Sequence, residues 1–532
     1  MPPSLLSAQL VWHQKPQDYQ LFPRNETNSS EVKMIGQLLN TESDSLILLI
    51  KTSEGNTDTL IEKFSNHDSI KPFNFTFQIK AGLIDYQFIF LNNKAGHIDT
   101  MSIISHVCCG DAILICGQSN AFAVVKKHEG AYQPIHQFVR SFGKPFSDKS
   151  SNFDQDTTWS LGEALYDETN THGYIGYLGY HLADSLVKTT GIPISVLNGA
   201  EGGTRINQHQ PNKTNPSDWQ NIYNRLLFRA QKPTIKDAIH AIVWYQGESE
   251  HNIYPTYYTT QFAQLYQAWK QDYTSLKEVY VFQIHHGCDN FSTSILREEQ
   301  RNLFALDPGH IQILSTMNIV TDGCHYDSTG YKKLSDRLMP LITHDLYQMP
   351  IEPNHYAPNI LRAIYLQPNQ LALVFDQPIL MDTQYKQFML KDYFFNEQGG
   401  KRLVQDLHIQ QDTLFLNLYF DYAFKKISYT PEYGYHQNSM NYEGPYIYND
   451  RGIGALTFYE FPVDEFREKS VLKNALLVFP NPCPSGVPLQ IHSMYEYKIF
   501  DLSGRVMNDL NLIAGIYFIR NSMNQYQKII IQ

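Results

Sequence analysis

The middle of the chain alternates short apolar runs with amphipathic stretches, and this alternation limits the fold more than any other feature. Stretches such as GYLGYHLADSLVK, WQNIYNRLLFRAQ and GYKKLSDRLMPLI read as helices. Strands that alternate with helices form a parallel sheet covered by helices on both faces. Residues 106–350 are therefore predicted to form an α/β domain. Its predicted strands are DAILICG, IPISVLNG, AIHAIVWYQG, EVYVFQIHHG and HIQILSTM.

The flanking parts of the chain have a different pattern of apolar and polar residues. Residues 1–105 alternate apolar and polar residues, as in SLILLIKT and FNFTFQI, and this period of two predicts a β-sandwich. The same period returns in residues 351–466, which predicts a second β-rich domain, and residues 467–532 form a last small unit. A length of 532 residues exceeds what one hydrophobic core supports, which agrees with several domains.

Composition excludes some classes of protein. The chain is 42% apolar and 18% charged, as in globular proteins. No run of about 18 apolar residues occurs, so we expect no transmembrane segment. The net charge of −11 argues against nucleic-acid binding, because binding to phosphates requires an excess of Lys and Arg. The six cysteines show no CxxC pair and no zinc-ligand spacing, so we expect no metal site.

Polar residues follow every predicted strand of the α/β domain. In an open parallel sheet, sites form outside the carboxyl ends of the strands. Polar groups that are distant in sequence therefore converge there, and this convergence is stronger evidence than any single motif. The polar strand ends are Gly117-Gln118-Ser119-Asn120, the segment from Asn198 to Thr204, Gln246-Gly247-Glu248, His285-His286-Gly287, and the segment from Asn318 to His325.

Ser119 is the best candidate for a nucleophile. A catalytic serine needs a base that removes its proton and a third group that holds the base. Asp322 and His325 are three residues apart, so one turn can place both on the same side. Asp322 can then accept a hydrogen bond from one imidazole nitrogen while the other nitrogen faces Ser119. Gln118 and Asn120 are expected to hold the loop around the serine.

Acyl transfer also needs hydrogen-bond donors at the oxyanion. The backbone N–H of Ser119 is one candidate. Gly202 and Gly203 offer another, or they form an ordinary tight turn. Gln246 either points its amide at the oxyanion or links neighbouring loops.

Two charged residues of the same strand ends have supporting roles. Glu248 is expected to orient its neighbours rather than to attack the substrate. Arg205 either binds a substrate carboxylate or forms a surface ion pair.

Four segments of the chain resemble the SGNH hydrolase superfamily, and within it the sialate O-acetylesterase-like carbohydrate esterases. These segments are GQSNA, the GGT turn, WYQGES and the D-x-x-H segment. The resemblance covers about residues 106–348, with the four blocks in the right order. It implies a flavodoxin-like α/β/α three-layer fold, here flanked by β-sandwich domains, and a Ser119–His325–Asp322 triad without metal or other cofactor. It also implies an oxyanion hole from Ser119, Gly202 or Gly203, and Gln246, although the wider superfamily has an asparagine at the last position.

The reaction implied by this resemblance is the removal of O-acetyl groups from an acetylated carbohydrate, through an acyl-enzyme on Ser119. The sequence does not select the glycan, because loops set that choice. Other interpretations stay open: a different SGNH lipase or thioesterase, an inactive glycan-binding protein, or an adhesin built from the β domains.

The tail resembles the C-terminal sorting domain of the type IX secretion system. The motifs of this tail are, in order, FPNPCPSG, YKIFDLSGRV and AGIYFIR, and the chain ends in KIIIQ. The resemblance implies passage through the periplasm, with the type IX machinery as a partner, and a secreted or cell-surface protein. The start, MPPSLLSAQLVW, shows no signal peptide, which departs from this pattern. Export would also favour a disulfide bond between Cys288 and Cys324.

Overall fold

The computed structural model describes residues 9–39, 42–65, 70–126, 136–144, 153–167, 172–250, 253–285, 293–381, 394–398, 403–421, 424–430, 446–464, 477–479, 490–492, 496–502, 505–507, 512, 514–521 and 526–531. Within these residues it is a mixed α/β protein, which confirms the predicted class. No helix of this part is long and apolar enough to cross a membrane. In the same part, no three His, Cys, Asp or Glu side chains are grouped as metal ligands.

The N-terminal β unit consists of two sheets that enclose one apolar core. The first sheet has the order β1-β3-β6, and β4 pairs with β5 and β7 in the other. Phe73 of the first sheet packs 5.3 Å from Phe90 of the second, between ring centroids. The strands of this unit are β1 (Gln9–Gln14), β2 (Leu21–Pro23), β3 (Ser29–Leu39), β4 (Ser45–Thr52), β5 (Thr57–Lys63), β6 (Ile70–Lys80) and β7 (Tyr86–Lys94).

The α/β unit contains the parallel sheet predicted from the apolar runs. Its strands are β8 (His97–Gly117), β9 (Val139–Phe142), β10 (Trp159–Leu161), β11 (Ile194–Asn198), β12 (Ile239–Tyr245), β13 (Glu278–Gln283) and β14 (Ile311–Ser315). Its α-helices are α1 (Ser119–Phe122), α2 (Tyr177–Thr190), α3 (Ile222–Gln231), α4 (Tyr257–Asp272), α5 (Ser294–Asn302) and α6 (Ser328–Tyr347). Short 3₁₀ helices span Phe153–Gln155, Ile206–His209, Lys236–Ala238 and Leu303–Leu306.

The strand order is β10-β9-β11-β8-β12-β13-β14, and only β10 runs antiparallel to its neighbour. Leu114 of β8 pairs with Leu197 on one side and Ile242 on the other, so β8 is central. The strand order reverses beside β8, and such a reversal opens a crevice at the carboxyl ends of the strands. The three-layer arrangement with helices on both faces stays a prediction.

One continuous strand joins the N-terminal β unit to the parallel sheet. The first part of β8 pairs antiparallel with β7, and its last seven residues pair parallel with β11 and β12. His106 interrupts the regular geometry with φ +63°, close to the boundary predicted at residues 105 and 106. The strand that ends at the candidate nucleophile thus begins in the preceding unit.

The second β unit follows the α/β unit and has its own apolar core. The core combines residues of all its sheets with Met317, which belongs to the loop after β14. The strands are β15 (Ile360–Gln367), β16 (Gln370–Phe375), β17 (Leu380–Met381), β18 (Phe394–Asn396), β19 (Val404–Gln410), β20 (Thr413–Leu418), β21 (Lys426–Tyr429), β22 (Ile447–Tyr448) and β23 (Phe458–Pro462).

The C-terminal unit is also made of strands. A sheet of order β27-β26-β28-β29 covers a small core around Ile499, Ile519 and Ile529. Its strands are β24 (Leu477–Phe479), β25 (Gln490–His492), β26 (Tyr497–Asp501), β27 (Val506–Met507), β28 (Gly515–Asn521) and β29 (Tyr526–Ile531). The three boundaries between the four domains predicted from the sequence stay predictions.

Candidate active site

Ser119 lies at the end of the central strand, on the first residue of the short helix α1. Gly117 makes this turn with φ +133°, a conformation that favours glycine. A Cβ at Gly117 would lie only 2.0 Å from the carbonyl oxygen of Tyr245 on β12, so the close approach of the two strands also requires glycine. The apolar run therefore ends at this glycine and presents Ser119, which is half-buried, at the edge of the sheet.

His325 meets Ser119 from the loop between β14 and α6. Its Nε2 lies 3.0 Å from Ser119 Oγ, although the two residues are 206 positions apart in the sequence. This is the distance at which a general base can take the proton of a serine hydroxyl. Sequence reasoning predicted this pair from the convergence of strand ends, and the structure brings the two side chains together.

Asp322 is in contact with the backbone of this loop rather than with the imidazole. Its Oδ1 accepts hydrogen bonds from the N–H of His325 (2.6 Å) and of Cys324 (2.8 Å). The Asp322 N–H donates to the carbonyl of His325 (2.9 Å) and closes the turn. Among the described residues, no hydrogen bond joins the Asp322 carboxylate to the His325 ring. The expected ring contact is thus not made in this geometry, because the short side chain of Asp322 reaches the backbone N–H groups of its own turn first.

Asn120 joins the two loops beneath Ser119. Its Nδ2 donates to Glu248 Oε1 (2.5 Å) and to the carbonyl of Cys324 (3.0 Å). Its Oδ1 accepts from the hydroxyl of Tyr331 on α6 (3.1 Å). Burial raises the pKa of Glu248 to about 7, and the hydrogen bond from Asn120 opposes that shift. The predicted supporting role of Asn120 and Glu248 thus has a specific geometry, since one amide links three segments of the site.

Gln118 and Gln246 form a second link between loops. Gln118 Oε1 accepts from Gln246 Nε2 (3.3 Å) and from the N–H groups of Gly247 and Ser249 (3.2 Å each). Gln246 Nε2 also donates to the carbonyl of Thr204 (3.1 Å) and to Oε1 of Glu250 (3.2 Å). The two hydrogens of this amide already face three acceptors, and the side chain is fully buried. Of the two interpretations of Gln246, this geometry favours the link between loops, and its oxyanion role stays a prediction.

The two candidate glycines lie in different surroundings. A Cβ on Gly202 would lie 3.7 Å from Ser119 Cβ, so this glycine is next to the nucleophile. Gly203 has φ +71°, and no atom of the described residues lies within 4 Å of its Cβ position, which is typical of an exposed turn. Arg205 is exposed on the same loop, and its N–H donates to Gln208 Oε1 (2.8 Å). Gly202 is therefore the stronger of the two oxyanion candidates.

One polar side chain of these strand ends, to which the sequence assigned no role, shapes the site. Asn198, the last residue of β11, is buried, and its Nδ2 donates to the carbonyls of Ala121 (3.0 Å) and Ile175 (2.9 Å). Its Oδ1 accepts from the N–H of Ala200 (3.0 Å). Asn198 thus fixes both α1 and the loop that carries Gly202. Its position at the end of a predicted strand could have indicated this role, because a buried asparagine there needs several hydrogen-bond partners.

The predicted disulfide bond falls partly outside the described residues. Cys324, next to His325, is disulfide-bonded. Cys288, the partner predicted for it, lies outside the described residues. His285, which precedes that segment, is buried, and its Nε2 lies 3.1 Å from the hydroxyl of Tyr446 in the second β unit.

Part of the chain is similar to a known family of proteins. Residues 110–343 match the family model described as carbohydrate esterase, sialic acid-specific acetylesterase. This part of the chain includes Ser119, Gly202, Gln246 and His325 and is therefore similar to a family of ester hydrolases. A search of curated proteins found no match.

Solved structures of other proteins are similar to the chain, among them the following two. A carbohydrate acetylesterase from Xanthomonas citri aligns with a TM-score of 0.54 and 17% identity, over 85% of this chain and 99% of the other. A protein from Arabidopsis thaliana aligns with a TM-score of 0.34 and 18% identity, over 44% of this chain and 97% of the other. The first likeness shows that the fold of most of this chain also occurs in that acetylesterase.

Proposed function

We propose that this protein is a serine esterase that removes O-acetyl groups from carbohydrates, with Ser119 as the nucleophile. The observation that carries the proposal is the 3.0 Å contact between Ser119 Oγ and His325 Nε2 at the carboxyl edge of the sheet. The family model matched by residues 110–343 supports the same class of reaction. The hydrolysis needs only water and the groups of this site.

The reaction begins when Ser119 Oγ attacks the carbonyl carbon of the acetyl group. His325 Nε2 takes the hydroxyl proton, and a tetrahedral oxyanion forms. The bond between that carbon and the sugar oxygen then breaks, and His325 returns the proton to the departing sugar oxygen. Water activated by His325 next attacks the acetyl-serine, and acetate leaves with Ser119 regenerated.

Backbone groups beside Ser119 would stabilise the oxyanion. The N–H of Ser119 begins α1, and the N–H groups at a helix start are free to bind an anion. Gly202 adjoins Ser119 and carries no side chain that would block a ligand. Gln246 would complete the oxyanion hole only if its amide gave up one of its present acceptors.

Asp322 would act as the third member of the triad. It already holds the turn that carries His325, through the two backbone N–H groups described above. We propose that the same carboxylate also stabilises the imidazolium that forms when His325 takes the proton. Hydrogen bonds of catalytic groups often tighten only when substrate binds.

The test is acetate release from p-nitrophenyl acetate and from acetylated glycans, with wild type and Ser119→Ala. We expect the variant to lose about 10³-fold or more in kcat. Ser249→Ala is a matched control, because Ser249 lies in the neighbouring loop and its N–H, not its hydroxyl, donates to Gln118. Equal rates for wild type and Ser119→Ala would contradict the proposal and favour a glycan-binding protein.

The choice of substrate is a second part of the proposal. We propose an acetylated sialic acid or a plant or host polysaccharide, with Arg205 as a candidate contact for a substrate carboxylate. The panel should therefore contain O-acetylated sialic acid, acetylated pectin and acetylated xylan. If Arg205 binds a carboxylate, Arg205→Ala raises KM for the first two and leaves KM for neutral acetylated xylan unchanged.

We also propose export through the type IX secretion system. The order of the motifs in residues 467–532 supports it, and the described part of this unit is a small β structure. In a bacterium with this secretion system, deletion of residues 467–532 should leave the protein inside the cell envelope. Equal secretion with and without this segment would contradict the proposal.

A further inference from the structure

The loop that carries Asp322 and His325 begins between two hydrophobic cores. It leaves β14 at Ser315, and the side chains of Met317 and Ile319 are both buried. Met317 packs into the core of the second β unit, whereas Ile319 packs into the core of the α/β unit. The start of the loop is therefore an interface between the two units, only a few residues from the proposed catalytic base.

Hydrogen bonds fix this start of the loop to the second β unit. Asn318 Nδ2 donates to the carbonyl of Gly452 (3.0 Å), and Arg337 Nη2 on α6 donates to the same oxygen (3.3 Å). Arg337 Nη1 donates to the carbonyls of Ser315 (2.7 Å) and Met317 (2.8 Å). We name this set of contacts around the Gly452 carbonyl the loop clamp.

Close packing supports the loop clamp. A Cβ on Gly454 would lie 2.6 Å from Met317 Cβ and 2.7 Å from the Met317 carbonyl oxygen, so the two backbones touch without space for a side chain. Ser315 Oγ donates to the carbonyl of Ala455 (3.4 Å). The segment from Gly452 to Ala455 thus lies directly on the exit of β14.

A paired contact one strand away adds to this interface. Gln283, the last residue of β13, donates from Nε2 to the carbonyl of Thr457 and accepts the Thr457 N–H at Oε1, both at 2.9 Å. Gln283 is buried, and its own carbonyl accepts from Thr316 Oγ1 (2.8 Å). The second β unit is therefore joined to the ends of two neighbouring strands of the parallel sheet.

The far end of the loop is held by the α/β unit itself. The carbonyl of Cys324 accepts from Asn120, and the hydroxyl of Tyr326 lies 2.9 Å from that of Tyr245. Between these two attachments buried and exposed residues alternate: Ile319 and Thr321 are buried, whereas Val320 is 65% exposed and His325 is also exposed. The position of His325 then depends on both attachments, because a loop fixed at one end samples more conformations than a loop fixed at both.

We propose that the second β unit is a positioning element for the proposed catalytic base, and that Asn318 and Gly452 are its positioning residues. This inference rests on the proposed function of Ser119 and His325. It gives the second β unit a part in the reaction, beyond packing. Misplacement of a catalytic group by about 1 Å can lower a rate on the order of 10²-fold, so a modest shift of this loop is sufficient to reduce kcat.

The test variant is Asn318→Gly. Asn318 has φ +63°, and glycine adopts that conformation freely, so the substitution removes the hydrogen bond to Gly452 without straining the backbone. Asn354→Gly is the matched control, because Asn354 also has φ +63° and its Nδ2 donates to Asp450 Oδ1 (3.1 Å), outside the loop clamp. Gly454→Val is a second variant, which forces a side chain against Met317.

Three measurements distinguish positioning from general destabilisation. We expect Asn318→Gly to lower kcat on p-nitrophenyl acetate about tenfold, with KM within about twofold and a melting temperature equal to that of Asn354→Gly. The rate of covalent labelling of Ser119 by a fluorophosphonate should fall in parallel, since it depends on the alignment of Ser119 and His325. Amide hydrogen exchange of residues 316–327 should be faster in Asn318→Gly and Gly454→Val than in the control.

Unchanged kcat, labelling and exchange in both variants would overturn this inference and leave the proposed function intact. An inactive wild-type protein would instead overturn the proposed function. In that case, faster exchange of residues 316–327 in Asn318→Gly and Gly454→Val than in Asn354→Gly would show only that the loop clamp fixes this loop, and equal exchange in all proteins would refute the loop clamp as well.

Discussion

Ionisation of Glu248 should make the stability of the α/β unit depend on pH. This carboxyl is 7% exposed, and its Oε2 has no hydrogen-bond partner among the described residues. Its pKa is raised by burial to about 7 from an ordinary 4.5, against the opposing hydrogen bond from Asn120. Burial makes the charged form of this carboxyl unfavourable, because the charge loses its solvation by water.

The sign of the effect follows from the two pKa values. In the unfolded chain Glu248 ionises near pH 4.5, while the folded protein keeps the proton until about pH 7. The contribution of Glu248 to the free energy of unfolding is therefore fully present below pH 4.5. It decreases as the pH rises above 4.5 and is lost as the pH passes through about 7. The difference in pKa corresponds to about 3 kcal/mol by about pH 8, and to less than about 1 kcal/mol at about pH 5.

Glu248→Gln tests this reasoning. The glutamine stays neutral and can still accept from Asn120, so it should be more stable than wild type by about 3 kcal/mol at about pH 8 and nearly equal at about pH 5. The assay is urea unfolding followed by tryptophan fluorescence, since four of the five tryptophans lie in residues 106–350. Glu54→Gln, at an exposed position of the N-terminal β unit, is the control for loss of one negative charge. A Glu248→Gln variant whose advantage does not grow between the two pH values would refute the argument.

Three further predictions concern the framework of the site. Gly117→Ala should abolish activity and lower the yield of folded protein, because its Cβ would overlap the carbonyl of Tyr245; circular dichroism and the esterase assay check this. Arg24→Ala should destabilise the protein by about 3 kcal/mol in urea unfolding, because the buried Asp111 loses a bidentate partner at 2.7 and 2.9 Å; a change below about 0.5 kcal/mol would count against it. Cys324→Ser should lower the melting temperature and kcat, because the disulfide bond adjoins the proposed base; dithiothreitol should reproduce the loss in wild type and add nothing in the variant.

Several residues of the candidate site could be predicted from the sequence, because the ends of buried strands have a recognisable sequence pattern. An apolar run followed by polar residues marks the carboxyl end of a buried strand, and parallel strands bring such ends to one edge. Ser119 and His325 could therefore be paired across 206 residues, and their side chains meet at 3.0 Å. The mixed α/β class follows from the same alternation.

The hydrogen bonds of the loops could not be predicted in this way. Asp322 was expected on the imidazole, but it caps its own turn, and Gln246 engages Gln118 and Thr204. Such choices depend on distances of a few tenths of an ångström between segments remote in sequence, and motif spacing carries no information on them. The same limit applies to Asn318, whose partner Gly452 lies 134 residues away in a different unit.

The arrangement of the units explains how the site combines an exposed base with a fixed geometry. Ser119 closely follows a strand that begins in the N-terminal β unit, so its position depends on the central strand of the sheet. His325 lies on a loop that leaves the sheet next to the second β unit and returns to Asn120. Neither side chain is immobilised by burial, and both remain open to a substrate. On the positioning inference above, the backbone attachments at each end of the two segments determine their 3.0 Å separation.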